Sequence, residues 1–205
     1  MKKNKKKKEE SIEENVNQKY PFADEMLTTI RQEYETENDR KKTLDTKAST
    51  FITVNIALLT IFIPLIPFMN LQSFFDKSSG IEKSVAIIGL IMLGVSIILL
   101  LASFVILVYA AGISGYRRVQ LDSILNLSSN EEQRDISCVK QTLVAHYHQI
   151  LRGTIDDEGN YKINTSRAEK IQLGIILMVI GYVVLSISTI VLRICTLVND
   201  VTPSF

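Results

Sequence analysis

Asp45, Lys47, Arg117 and Arg167 each stand next to a long apolar stretch, where an ion pair would sit at the edge of a membrane. A guanidinium and a carboxylate form a charge-assisted hydrogen bond, frequently bidentate. Asp45 can pair with Arg117 or with Arg167, and such a pair would hold a resting state. A ligand or partner that competes for the arginine would favour another arrangement through its differential affinity for the two. Asn55, the strongly polar residue within the first apolar stretch, has two roles open to it. It can make an interhelical hydrogen bond, or line a pore in an oligomer. The two histidines, His146 and His148, point to different faces of a helix and have no Cys or acidic cluster at metal-ligand spacing. No phosphate-cradling glycine loop, nucleophile motif or metalloprotease signature occurs. No enzymatic activity, cofactor or metal is therefore expected.

The elements that must position these residues follow from where charge is missing. Ala48 to Phe75, Ser84 to Tyr116 and Ile171 to Leu192 contain no Asp, Glu, Lys or Arg. Each can hold the ~20 helical residues that a hydrocarbon core requires. The expected fold class is an all-α membrane protein, with three transmembrane helices and cytosolic helical extensions. None of the spans carries an ionisable group, which argues against a proton- or ion-coupled transporter.

Lys and Arg crowd the chain before the first span and between the second and third. The positive-inside bias then places the N-terminus and residues 115–170 in the cytoplasm, with the C-terminus outside. Cys138 and Cys195 fall on opposite sides of that membrane, so no intrachain disulfide is expected. Six lysines occupy the first eight residues. They read as a polybasic disordered tail over 1–20, with attraction to anionic lipid heads as the functional alternative. No apolar segment of signal-peptide type follows, so the first apolar run reads as a retained span.

A cytosolic helix over 22–69 continues into the first span, and Pro64 and Pro67 kink or end it near Phe68, Phe74 and Phe75. The second span with its cytosolic extension covers 84–127. Ser129 and Glu132 form a capping box for an amphipathic helix over 131–152. Its apolar face is Ile136, Val139, Leu143, Tyr147 and Ile150. Gly153 and the 156–160 cluster form a turn, and the third span covers 160–196.

Gly89, Ser96, Ser103 and Ala110 lie seven residues apart, as do Gly174, Gly181, Ser188 and Cys195. Each set makes one stripe of small side chains, over which two backbones can approach closely in lipid. The seven-residue period favours a left-handed crossing. The two stripes can face each other as an antiparallel pair, or one can serve a neighbouring subunit. The same interval leads backwards to Arg167 and Asn160, and forwards to Arg117.

Arg40, followed by Leu44-Asp45-Thr46-Lys47-Ala48-Ser49 at the entry to the first span, resembles the D-x-K-A entry of small bacterial membrane effectors. These are the transmembrane effectors of cyclic-nucleotide-triggered anti-phage systems of the Pycsar type. Tyr147 followed by Asn160, Asn164, Arg167 and Lys170 before the last span is a second point of similarity. The resemblance implies an oligomeric effector that impairs membrane integrity when its cytosolic helices receive a signal. Its partners would be the bilayer, further copies of itself, and a cytosolic protein or nucleotide signal, with no nucleic acid. The alternative is a non-enzymatic membrane anchor or scaffold, whose docking surface would be Ile136, Val139, Leu143 and Ile150. A channel or transporter subunit is a third reading.

Overall fold

The computed structural model describes residues 22–66, 80–112, 116–119, 136–155 and 157–201, with side chains described up to 197. Four α-helices follow in order: α1 Ala23–Phe62, α2 Ile81–Gly112, α3 Ile136–Arg152 and α4 Asn160–Val201. Among the described residues the fold is all-α, with a single isolated bridge between Gly153 and Glu158. Three helices, α1, α2 and α4, are long and apolar enough to cross a membrane. The chain is a multi-pass membrane protein.

Local chemistry sets the helix ends. Asp24 and Glu25 occupy the first turn of α1, where the helix dipole favours negative charge. Pro64 has no N–H to give, so the α-helical pattern stops at Phe62 and tightens into a single 3-10 turn, Ile63–Leu65. Ile66 then turns extended. Gly80 opens α2 from a left-handed conformation, φ +60°.

Two compact units divide the chain. The apolar unit comprises residues 44–113 and 167–205, and the polar unit 1–43 and 114–166. In the apolar unit the buried positions of α2 are Ala86, Gly89, Leu93, Ser96, Leu100, Ser103, Leu107 and Ala110. Their spacing alternates three and four, the pattern of a helix that supercoils left-handedly around a partner. On α4 the matching set is Arg167, Ile171, Gly174, Met178, Gly181, Leu185, Ser188 and Leu192. Leu93, Leu100, Met178, Leu185 and Leu192 form one core cluster, with Leu59 and Phe62 of α1 packed on it. Leu44, Ala48, Leu107, Ala110 and Ile171 form another. The remaining large apolar side chains of these helices, such as Ile98, Val105 and Val183, are exposed, as lipid-facing residues must be.

In the polar unit α3 packs on the first part of α1. The Tyr34 and Tyr147 rings meet edge-on at 5.5 Å, and Lys140 reaches Asp24 at 2.5 Å. A tight turn leads from α3 to α4. Gly153 sits there at φ +88°, and a Cβ on it would collide with the Asp157 carbonyl.

Two expectations are corrected here. The second-span helix does not continue through Tyr116 to residue 127: α2 ends at Gly112 and residues 116–119 are not helical. At Arg117 the Asn160 side chain bonds both backbone groups. Its Oδ1 accepts from the Arg117 N–H and its Nδ2 donates to the Arg117 carbonyl, both at 2.8 Å. Of the expected face of α3, Ile150 is buried, Tyr147 meets Tyr34, and Val139 and Leu143 are half-buried, but Ile136 is 64% exposed, and Ser137, Val144 and Leu151 are buried as well. The tail over 1–20, residues 120–127, the Ser129–Glu132 capping box, Pro67, Phe68, Phe74 and Phe75 lie outside the described residues.

Candidate functional site

The small-residue stripes of α2 and α4 are in contact, antiparallel. Ser188 Oγ donates to the Gly89 carbonyl at 2.8 Å, and Ser103 Oγ donates to the Gly174 carbonyl at 2.7 Å. Between these bonds leucines fill the gaps left by glycine. A Cβ on Gly181 would lie 2.8 Å from Leu100, one on Gly174 2.8 Å from Leu107, and one on Gly89 3.0 Å from Leu192. Ser96 is fully buried and turns its hydroxyl back to the Leu93 carbonyl at 2.7 Å. Each cross-helix hydroxyl replaces water that lipid cannot supply.

Seven residues on from Ser103 and seven back from Gly174, the next pairing is Ala110 with Arg167. Arg167 Nε donates to the Ala110 carbonyl at 3.0 Å. That carbonyl belongs to the last turn of α2, where the helix dipole favours a cation. Arg167 Nη2 donates to Asp45 Oδ1 of α1, closing an ion pair. The arginine side chain is 1% exposed and the aspartate 41%. Arg167 Nη1 is buried without a hydrogen-bond partner among the described residues. One guanidinium therefore clasps all three spans at one end of the apolar unit.

Of the four residues expected at the mouth, the structure brings Asp45 and Arg167 together. Lys47 is exposed. Arg117 belongs to the polar unit, where its guanidinium pairs with Asp157. Asn55 is fully buried and receives the Tyr182 hydroxyl, which donates to its carbonyl at 2.7 Å and to its Oδ1 at 2.9 Å. It makes the interhelical hydrogen bond and does not line a passage within this chain.

A second polar cluster occupies the polar unit. Asn164 Nδ2 donates to both the carbonyl and a carboxylate oxygen of Glu37, at 3.0 and 2.9 Å. Arg40 reaches Glu37 and the Thr165 hydroxyl, each at 3.4 Å. The guanidiniums of Arg40 and Arg152 both lie over the Tyr161 ring, at 5.6 and 5.2 Å. Burial, with Tyr34 and Glu37 nearby, pushes the Tyr116 hydroxyl up to about 12. Sequence reasoning missed Glu37 and Tyr182. Glu37 stands seven residues before Leu44 on the buried side of α1, so the heptad pattern carried a signal for it. Nothing local marked Tyr182. Cys138 and Cys195 are free thiols. Comparison with family models, characterised proteins and solved structures finds no match to this chain.

Proposed function

We propose that this chain is a small membrane effector that assembles with copies of itself and breaches the bilayer when its polar helices receive a signal, in an anti-phage response. It sits in a bacterial inner membrane, with the lysine-rich end in the cytoplasm and the C-terminus outside, as the distribution of Lys and Arg favours. The Arg167 clasp carries this reading. Its carboxylate partner faces water and one of its donors is unpartnered, so an anion or protein group that outbids Asp45 would loosen α1 from α2 and α4. The reading predicts two states separated by that one contact, and a ligand with unequal affinity for them moves the balance.

Induced expression in bacteria with a voltage-sensitive dye tests it. Wild type should depolarise the membrane only after a trigger such as phage infection, and Asp45→Ala should do so without one. Depolarisation by neither, under any trigger, overturns the reading.

A membrane anchor for a soluble partner is the second reading, favoured by a groove of about 680 Å³ in the polar unit. Phe22, Met26, Ile30 and Val144 line it, with Phe22 and Met26 exposed. A stable homo-oligomer in detergent and a nucleotide cyclase encoded alongside favour the effector; a monomer with neither favours the anchor.

A further inference from the structure

We propose that Tyr109 and Lys170 form a headgroup site for an anionic phospholipid. Lys170 is the last charged residue before the charge-free run that begins at Ile171. Tyr109 stands in the last turn of α2, three residues before its end at Gly112. Both mark the polar boundary of the apolar unit. The Lys170 ammonium lies 4.8 Å from the centroid of the Tyr109 ring, a cation–π contact that draws the charge to the ring. Tyr109 is 62% exposed, so the ring presents its other side and its hydroxyl outward.

No carboxylate pairs with Lys170 among the described residues. The acid that α1 brings to this end, Asp45, is engaged by Arg167. Glu169 is the adjacent residue of α4, and neighbours in sequence do not face each other on a helix. An ammonium drawn to an interfacial tyrosine with no counter-charge complements a phosphodiester. A lysine stem extending along apolar surface to the interface is the ordinary way such a charge reaches a headgroup, and tyrosine is enriched at that depth. About one turn deeper, Val105 of α2 and Leu173 of α4 are both exposed and offer apolar surface to the acyl chains. A net-negative headgroup receives the whole attraction. A zwitterionic one brings its own ammonium towards Lys170 and loses much of it. One lysine near an anionic surface corresponds to roughly a fivefold change in affinity.

The test uses the full chain in detergent, titrated separately with phosphatidylglycerol, phosphatidylcholine and inorganic phosphate. Bound lipid is counted by native mass spectrometry, and helicity is checked by circular dichroism. Wild type should retain phosphatidylglycerol about fivefold more strongly than phosphatidylcholine. Lys170→Gln should abolish that preference while leaving phosphatidylcholine retention and helicity unchanged; Lys170→Arg should keep it. Tyr109→Leu should weaken it, and serves as the second variant if Lys170→Gln does not fold. Equal retention of both lipids by wild type, an undiminished preference in folded Lys170→Gln, or inorganic phosphate displacing the lipid at equal concentration would each overturn the proposal.

Discussion

Arg167 and Ala110 meet where the guanidinium closes the end of the second span: Nε donates to a carbonyl in the last turn of α2, at 3.0 Å. The same side chain is sealed from water while its counter-ion Asp45 is not. That asymmetry yields a prediction about which half of the pair matters more. Asp45→Ala strands a charge in an enclosed site. Arg167→Met removes that charge and leaves a carboxylate that water can reach. Asp45→Ala should cost about 2 kcal/mol, below the range for a fully buried pair because Asp45 is partly solvated. Arg167→Met should cost less, within about 1 kcal/mol. Thermal unfolding of the two variants in the same detergent checks the order, and the reverse order would mean that the arginine is not enclosed.

The glycines of α2 and α4 divide into two kinds. Gly181 and Gly174 have leucine atoms at 2.8 Å from where a Cβ would stand, whereas Gly94 and Gly112 have nothing within 4 Å. Gly181→Ala should destabilise by about 1–3 kcal/mol through overpacking. Adding Leu100→Ala should recover part of that loss, because the pressing atoms are those of Leu100. Gly94→Ala should be neutral or stabilise by up to about 1 kcal/mol, since it only lowers the freedom of the unfolded chain. Unfolding midpoints for the three variants read this directly. Equal losses at Gly181 and Gly94 would contradict the seam.

The spans and the seam were legible because their signals are local. Charge is absent over long runs, and small residues recur every seven positions, so both read off one chain without knowing its neighbours. The end of α2 was not legible. Ile113, Tyr116 and Leu121 continue an apolar pattern past Gly112, whereas Arg117 is non-helical and an amide 43 residues away occupies its backbone. Arg117 pairs with Asp157 and Arg167 with Asp45, a division that spacing in the sequence left open. The face of α3 was ambiguous for a related reason. Tyr147 and Ile150 of the expected face are engaged, but Ile136 is exposed while Ser137, Val144 and Leu151 are buried, and spacing alone does not say how wide the covered side is.

Asn160 therefore controls the backbone at Arg117. Asn160→Ala removes one donor and one acceptor from the Arg117 peptide groups. Asn160→Asp keeps the acceptor and sets a carboxylate against the Arg117 carbonyl. Each should cost about 1–2 kcal/mol. Hydrogen exchange at the Arg117 amide should accelerate strongly in Asn160→Ala and less in Asn160→Asp, which still accepts that N–H. Unchanged exchange in both would show that Arg117 is held by something else.

Between the third span and the first, the Tyr182 hydroxyl is the donor and Asn55 supplies two acceptors. Tyr182→Phe leaves those acceptors buried and should cost about 1 kcal/mol. Replacing both partners, Asn55→Leu with Tyr182→Phe, should recover most of that loss, because a site without polar atoms has nothing left to satisfy. A double-mutant cycle in detergent gives the coupling. Strict additivity would mean that the two residues do not touch.

Alkaline pH addresses the polar unit separately. The Tyr116 hydroxyl is pushed from its ordinary value of 10 up to about 12, first by burial and then by Tyr34 and Glu37. The folded chain thus holds this proton more tightly than the unfolded chain does. The resulting stabilisation is complete below pH 10 and is lost as pH rises through about 12. Tyr116→Phe has no proton to lose. Between pH 10 and 12 the wild-type unfolding midpoint should therefore fall more steeply than that of Tyr116→Phe, while below pH 9 the two curves should run parallel. The two proteins differ in this one hydroxyl, so the difference isolates it. Parallel curves across the whole range would place Tyr116 in water and remove it from the cluster around Glu37.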